Sequence, residues 1–352
     1  MLLALAAGSA VGGAAWTLGY FQPSGAPVTF TVPKGENFSA LSLKLKAQGI
    51  IRSARAMRWY VNFASPHKKL QRGEFALNLN MPVPEVVSAL TEGKPIQYPF
   101  TVVEGENVFQ VAEALEAKGL ATKADFLAAV RAPEVIKLIP WNSPLARPNS
   151  AEGYLFPETY MLQKVFTAKE IASLMVQKFR EEWRKLEPEL KDALLAKELV
   201  FSWHQLVTLA SIVEKETGAA VERPQIASVF VNRLRKRMRL QTDPTVIYGI
   251  YLRTGTWNGV IGRAGLDYPS DYNTYQRDGL PPGPISSPGL NALKATIHPA
   301  ATDYLYFVSR GDGTSTFSKD LSAHTRAVQA GLAPGAHEGK SWRNLEPEKR
   351  VK

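Results

Sequence analysis

The chain has 352 residues, 45% of them apolar, and a formal net charge of +10, which suits two or three packed domains and excludes a disordered or fibrous protein. It contains no cysteine, so a disulfide framework, a thiolate nucleophile and a cysteine-ligated metal cluster are all excluded. The positive charge favours polyanionic surroundings, whether nucleic acid, anionic lipid or an acidic cell-wall polymer, without choosing among them.

Residues 1–21, MLLALAAGSAVGGAAWTLGYF, carry no charged side chain and end in an aromatic pair. That length spans a bilayer, and Trp16 and Tyr20 fall where interfacial aromatics sit. The stretch is therefore read as an uncleaved transmembrane anchor, with a cleaved signal peptide as the alternative. A linker, QPSGAP, occupies 22–27.

An internal repeat follows. TVPKGENFSALSLKLKAQGI (31–50) aligns with TVVEGENVFQVAEALEAKGL (101–120) at a spacing of 70, with eight of twenty positions identical, the whole Gly-Glu-Asn turn among them. Each copy reads as a strand, a glycine turn and an amphipathic helix that buries Leu45 or Leu115 and stops at Gly49 or Gly119. Strand, turn and helix in this order resemble the start of a cell-wall-binding LysM module, with an ordinary small α+β scaffold as the plain alternative. Helical spacing in ARAMRWYVNFA (54–64), alternation in RGEFALNL (72–79) and a proline-opened helix in PVPEVVSALTEG (82–93) complete an α+β module over 28–98. The second repeat and a proline-rich connection take up 99–150.

From residue 151 the pattern becomes largely helical, with amphipathic stretches at 168–186, 202–217 and 222–238. The third of these carries Arg233, Arg235, Lys236, Arg237 and Arg239, a run of the kind that faces solvent or a polyanion. No zinc finger or GK[ST] loop accompanies it, so nucleic acid is not expected as a partner. A loop-rich stretch contains LQTDPTVIYG (240–249), DYNTY (271–275) and GLPPGPISSPG (279–289). A helix near 290–299 and a hairpin over 304–318, turning at Asp312-Gly313, lead to a polar tail at 333–352.

HExxH, GxSxG and GxGxxG patterns are absent, and the five histidines are scattered; His204 reads as a helix-start or packing residue. What remains is carboxylate chemistry supported by loops of Asn, Gln, Tyr and Thr, which hydrogen-bond hydroxyls and stack on sugar rings. In LASIVEKETG (209–218), Leu206, Val207, Leu209, Ala210, Ile212 and Val213 form a broad apolar face. At about 100° per residue Lys215 falls opposite that face, and Glu214 and Glu216 fall on its two flanks. Periodicity leaves the two carboxylates undecided. With Gly218 as the residue after the helix, both sit in the last turn, where the helix dipole raises a carboxyl pKa as a general acid requires, Glu216 slightly more than Glu214.

At this point a family resemblance becomes specific. ASIVEKET (210–217), VFVNRL (229–234), MRLQTDPTVIYG (238–249), YNTY (272–275), GLPPGPISSPG (279–289), HPA (298–300), YLYFV (304–308) and TFS (316–318), with EGYLFPETY (152–160), resemble the ordered motifs of the endolytic murein transglycosylases, the MltG or YceG-like family. The resemblance implies a catalytic domain of mixed α+β architecture over 151–332. It also implies cleavage of peptidoglycan glycan strands between N-acetylmuramic acid and N-acetylglucosamine without water, leaving 1,6-anhydro ends and terminating strand elongation. Neither cofactor nor metal is implied. Glu216, followed by Thr217, takes the place of the single acid and base, a departure from the two-carboxylate scheme of ordinary glycosidases. Gln241, Thr242, Asp243, Tyr272, Asn273 and Tyr275 become candidates for holding the N-acetyl sugar, and Glu152 for lining the cleft; loop structure is their plain alternative. Pro281, Pro282 and Pro284 are expected to shape a cleft wall. Peptidoglycan synthases, the penicillin-binding proteins, are the implied protein partners, and the extracytoplasmic face of the inner membrane the implied location. A hydrolase using Asp243 or Asp271 to activate water, and a non-catalytic cell-wall scaffold, remain as alternatives.

Overall fold

Alternation in VTFTV and EFAL sends Phe30, Val32, Phe75 and Leu77 to the buried face of an antiparallel pair, β1 (Pro27–Val32) and β2 (Gly73–Asn78), in which Phe30 lies opposite Phe75. The computed structural model describes residues 13, 15–21, 23–142, 147–196, 201–216, 219–256 and 266–331, and the chain divides into two units.

The first unit comprises residues 1–100 and 160–167. Between its two strands run α1 (Phe38–Ala47) and α2 (Ala54–Ala64), and after β2 comes α3 (Val83–Thr91). Asn37 and Ser53 start the first two helices by accepting from the amides of Ala40 and Ala56, while α3 opens on a proline. Leu41, Leu45, Met57, Val61, Val86 and Leu90 then close over the strand pair as one core.

The second unit comprises residues 101–159 and 168–352. Strands β3 (Tyr98–Thr101) and β4 (Thr159–Leu162) pair with each other and contain the points at which the chain passes between units. Three helices lie between them in sequence: α4 (Val108–Ala117), α5 (Lys123–Ala129) and the short α6 (Pro133–Ile136). There follow α7 (Ala168–Ala196), α8 (Trp203–Glu216), a 3-10 turn (Ala220–Glu222) leading into α9 (Arg223–Arg235), α10 (Asp243–Thr254) and α11 (Leu290–Ile297). A hairpin of β5 (Tyr306–Ser309) and β6 (Ser315–Ser318) and a last helix, α12 (Leu321–Gly331), end the described chain. Helix α8 is the hub, packed against α9, α10 and α11, with every residue from Leu206 to Glu214 buried. An aromatic series, Tyr154, Phe179, Trp183 and Trp203, runs alongside with centroid spacings of 5.0, 5.8 and 5.7 Å.

The architecture is α+β, as the patterning predicts, with three differences. Helix α7 runs through the EPEL segment to Ala196, ten residues beyond the amphipathic stretch that ends at 186. The DPTVIYG segment, expected to be loop, is helix α10. Its β-branched residues and Gly249 weaken helix propensity, but Pro244 suits a first turn, and burial of Val246, Tyr248 and Gly249 decides the matter. Arg233, grouped with a solvated basic run, is buried, its guanidinium donating to the carbonyls of Leu305 and Leu240, both at 2.7 Å. Residues 1–12 of the expected anchor and the tail at 333–352 lie outside the described residues. Among the described residues no helix is long and apolar enough to cross a membrane.

Candidate active site

The two carboxylates at the end of α8 occupy different environments. Glu214 is buried, and both of its oxygens are taken within the second unit: Arg223 Nη2 donates to Oε1 at 2.8 Å, and the amide of Gly289 donates to Oε2 at 2.9 Å. Glu104 also lies 3.7 Å from Arg223, and its carboxyl is pushed up by burial and by the charge of Glu214, with Arg223 opposing. Gly289 leaves room for Glu104, since a Cβ there would fall 1.8 Å from a Glu104 carboxylate oxygen and the glutamate side chain would have to swing aside. A buried, hydrogen-bonded ion pair of this kind holds structure together when intact and is costly to break from one side.

Glu216 is the last residue of α8 and only partly buried. The Thr242 hydroxyl donates to its Oε1, and its charge is felt by Tyr275 and by the buried Arg233. Thr242 is itself held rigidly: its amide donates to Thr274 Oγ1 at 3.1 Å, and its carbonyl accepts from Thr245 Oγ1 at 2.7 Å. Tyr275 donates to Asp243 Oδ1 at 2.7 Å, and its hydroxyl is pushed well above the usual phenol range, first by burial and then by that bond. Gln241, exposed, adopts φ +49, a left-handed backbone that is strained for a residue other than glycine by about 1–3 kcal/mol. Glu216, Thr242, Asp243 and Tyr275 therefore form one group, with Gln241 at its edge. Thr217 and Gly218, on which the helix-end argument rests, lie outside the described residues.

Lys215, placed by periodicity opposite the apolar face, is half-buried and donates to the Gly105 carbonyl at 3.1 Å. The Gly-Glu-Asn turn of the second repeat covers the flank of α8 that the pattern leaves to solvent.

Asn273 is fully buried. Its amide donates to the carbonyls of Leu266 and Tyr268, both at 2.8 Å, and its carbonyl accepts from the Tyr275 amide at 3.0 Å. Both amide hydrogens are thus spent on shaping the loop that carries Tyr272 and Tyr275.

Glu152 and Tyr272 belong to a separate wall. They line a cleft of about 1100 Å³ together with Tyr248, His204 and the prolines 281, 282 and 284. Gly153 admits Pro284 to this wall: its φ is +80, and a Cβ there would fall 2.3 Å from the proline ring. Buried Glu152 accepts from the amides of Val108 at 3.0 Å and Gly153 at 3.2 Å, and it is hydrogen-bonded to Tyr248. Burial outweighs these bonds and the charge of Lys215 and pushes the carboxyl up to about 7. His204 is a packing residue, as read: Tyr154 donates to Nδ1 at 2.7 Å, Nε2 donates to the Pro282 carbonyl at 3.2 Å, and burial pulls the imidazole down toward its neutral form. No group of three or more His, Asp or Glu side chains among the described residues could hold a metal ion.

Sequence reasoning missed Arg223, the partner that ties up Glu214. It lies nine residues on in the next helix, where only its place beside Pro224 marks it out.

Comparison with known proteins agrees in one direction. Residues 30–330 match the YceG-like family. An endolytic murein transglycosylase of Bacillus subtilis is 32% identical over 315 residues, covering 86% of this chain and 84% of that protein. One from Streptococcus pneumoniae serotype 2 is 28% identical over 327 residues, covering 86% of this chain and 58% of that protein. The crystal structure of a YceG-like protein from Listeria monocytogenes superposes with a TM-score of 0.57 at 33% identity, covering 85% of this chain and 98% of that one.

Proposed function

We propose, from the premise that the chain belongs to the YceG-like family and is a lytic transglycosylase, that it cleaves the bond between N-acetylmuramic acid and N-acetylglucosamine in peptidoglycan glycan strands, with Glu216 as the only acid and base. Protonated Glu216 gives its proton to the glycosidic oxygen as the bond to C1 breaks and the N-acetylglucosamine end departs. The resulting carboxylate then takes the proton of the muramic C6 hydroxyl, whose oxygen closes on C1 to form the 1,6-anhydro ring. The proton count balances, and no water enters.

One observation carries this reading: Glu214 is buried with both oxygens committed to Arg223 and Gly289, whereas Glu216 ends the helix partly exposed, with the anchored Thr242 hydroxyl on one oxygen. Thr242 holds the carboxylate in place. Asp243 is engaged by Tyr275, and Asp271 is paired with Arg277 at 2.5 Å, so each already has a protein partner in the place of a hydrolytic water.

The reading extends to location and partners. The charge-free stretch at 1–21 supports a single-pass anchor with the remainder of the chain outside the inner membrane, and peptidoglycan synthases as neighbours there. The β-α-α-β order of the first unit supports a LysM-like glycan-binding role for it.

Mass spectrometry of products from purified glycan strands tests the chemistry. The unsubstituted chain should release 1,6-anhydro ends, and Glu216→Gln should lower their rate by at least about a thousandfold, the scale of losing an essential general acid together with the base it becomes. Anhydro products from Glu216→Gln would sink the assignment, reducing ends would indicate a hydrolase, and binding of sacculi without any cutting would indicate a scaffold.

A further inference from the structure

The cleft lined by Glu152 and Tyr272 has more room and more charge than the bond-breaking step uses. Pockets for drug-sized molecules span about 300–1,000 Å³. At about 1100 Å³ this one would be left largely empty by a single sugar ring.

Its lining holds ionisable groups of both signs. Asp271 pairs with Arg277 at 2.5 Å and Asp278 with Arg239 at 2.9 Å, so each of these acids has a cationic partner. Glu152 is enclosed by backbone amides and Tyr248. Arg131 and Arg147 line the same cleft, and the charge of Arg131 reaches Tyr248. Arg147 donates to the Ile139 carbonyl at 2.5 Å, which orients the guanidinium without cancelling its charge. Arg131 is exposed, and among the described residues its side chain has no ion pair and no hydrogen bond. Trp141 and Tyr272 add aromatic surface to the same cleft, and Asn149 and Gln205 add amides. An exposed guanidinium without an ion pair, in one cleft with aromatic rings and amides, suits a sugar chain that bears a carboxylate, since guanidinium binds carboxylate bidentately and aromatic faces pack on pyranose rings.

We propose that this cleft is a recognition site for a carboxylate-bearing peptide carried on the glycan, with Arg131 taking the carboxylate and Trp141 and Tyr272 supplying the surface against the sugars. The inference rests on the reading of murein as substrate.

The test uses the full chain carrying Glu216→Gln, so that glycan is bound and not cut. It is titrated calorimetrically with a murein tetrasaccharide carrying its peptides and with the same tetrasaccharide after the peptides are removed. The peptide-bearing probe should bind more tightly. Adding Arg131→Gln should weaken it about tenfold, the scale of one charge-assisted hydrogen bond partly open to water, and should affect the peptide-free probe at least about fivefold less. Arg131→Lys should recover part of the loss, and rising salt should narrow the gap between the probes. Equal affinity for the two probes, parallel weakening of both by Arg131→Gln, or no binding of either would overturn the proposal. Failure of the catalytic reading is a separate result, visible as an absence of anhydro ends from the unsubstituted chain whatever the titrations give.

Discussion

The two copies of the strand-turn-helix repeat share the tripeptide Gly-Glu-Asn and little of its surroundings. Their local geometry is the same: Gly35 and Gly105 have φ +78 and +80, and Asn37 and Asn107 cap the helices that follow. In the first copy Glu36 pairs with Lys44 on its own helix, and a Cβ on Gly35 would meet nothing. In the second, the Gly105 amide donates to the Ser287 carbonyl at 2.8 Å, the Ser287 amide returns a bond to the Glu106 carbonyl at 2.7 Å, and the Gly105 carbonyl receives Lys215. Its helix, α4, starts with a full capping box between Asn107 and Gln110 and with the Val108 amide on Glu152. One sequence pattern thus makes a solvent-facing corner in one unit and a brace for the end of α8 in the other. A repeated motif specifies backbone shape, and what that shape touches decides its work.

The comparison can be broken most severely at Glu214, which shares the braced region with Lys215. Glu214→Gln takes from buried Arg223 its 2.8 Å partner and leaves only Glu104 at 3.7 Å, which should cost up to about 3–5 kcal/mol, read as lost hydrogen-exchange protection across α8 and α9. Glu36→Gln should leave α1 protection unchanged. A Glu214→Gln chain as well protected as its parent would mean that α8 does not depend on this pair.

Next in size is pH. Glu152 titrates at about 7 in the folded chain against 4.5 ordinarily, so its contribution is fully present below pH 4.5 and is lost as pH rises to about 7. That window corresponds to roughly 3 kcal/mol, and Glu152→Gln should abolish the slope. Glu36 is held below its ordinary value by the bond from Lys44 and has the opposite sign: its contribution is present above pH 4.5 and is lost on acidification. Exchange at the start of α4 should therefore speed up between pH 4.5 and 7, after correction for intrinsic rates, while exchange at the start of α1 does not. Parallel behaviour would contradict the distinction. A smaller effect separates the caps. Asn107→Ala removes two amide bonds and should cost about 1–2 kcal/mol in α4, and Asn37→Ala, with one bond, about 0.5–1 kcal/mol in α1.

Local signals in the sequence determine some elements, and contacts between distant residues determine the others. The Asp312-Gly313 hairpin, the proline-opened α3 and the alternating β1 and β2 follow from turn chemistry and periodicity, which act within a few residues. Helix α10 was hidden because burial, not propensity, makes it helical. At the site, helix angles placed Glu214 and Glu216 symmetrically about the apolar face. The asymmetry comes from Arg223, nine residues on, and from Gly289, seventy-five residues on, and no periodicity reports contacts at such distances. Periodicity likewise leaves Lys215 to solvent, because its cover arrives from Gly105, 110 residues earlier.

Gln241 carries a last consequence. Its left-handed backbone beside Glu216 is a shape that glycine would adopt more comfortably. Gln241→Gly should therefore relieve strain in the folded chain, yet it should also let the segment before Thr242 wander, so that each encounter with a glycan begins from a different arrangement. Turnover should fall even where the folded state gains. The residue would then act as a stop that keeps the loop set in one position between reactions.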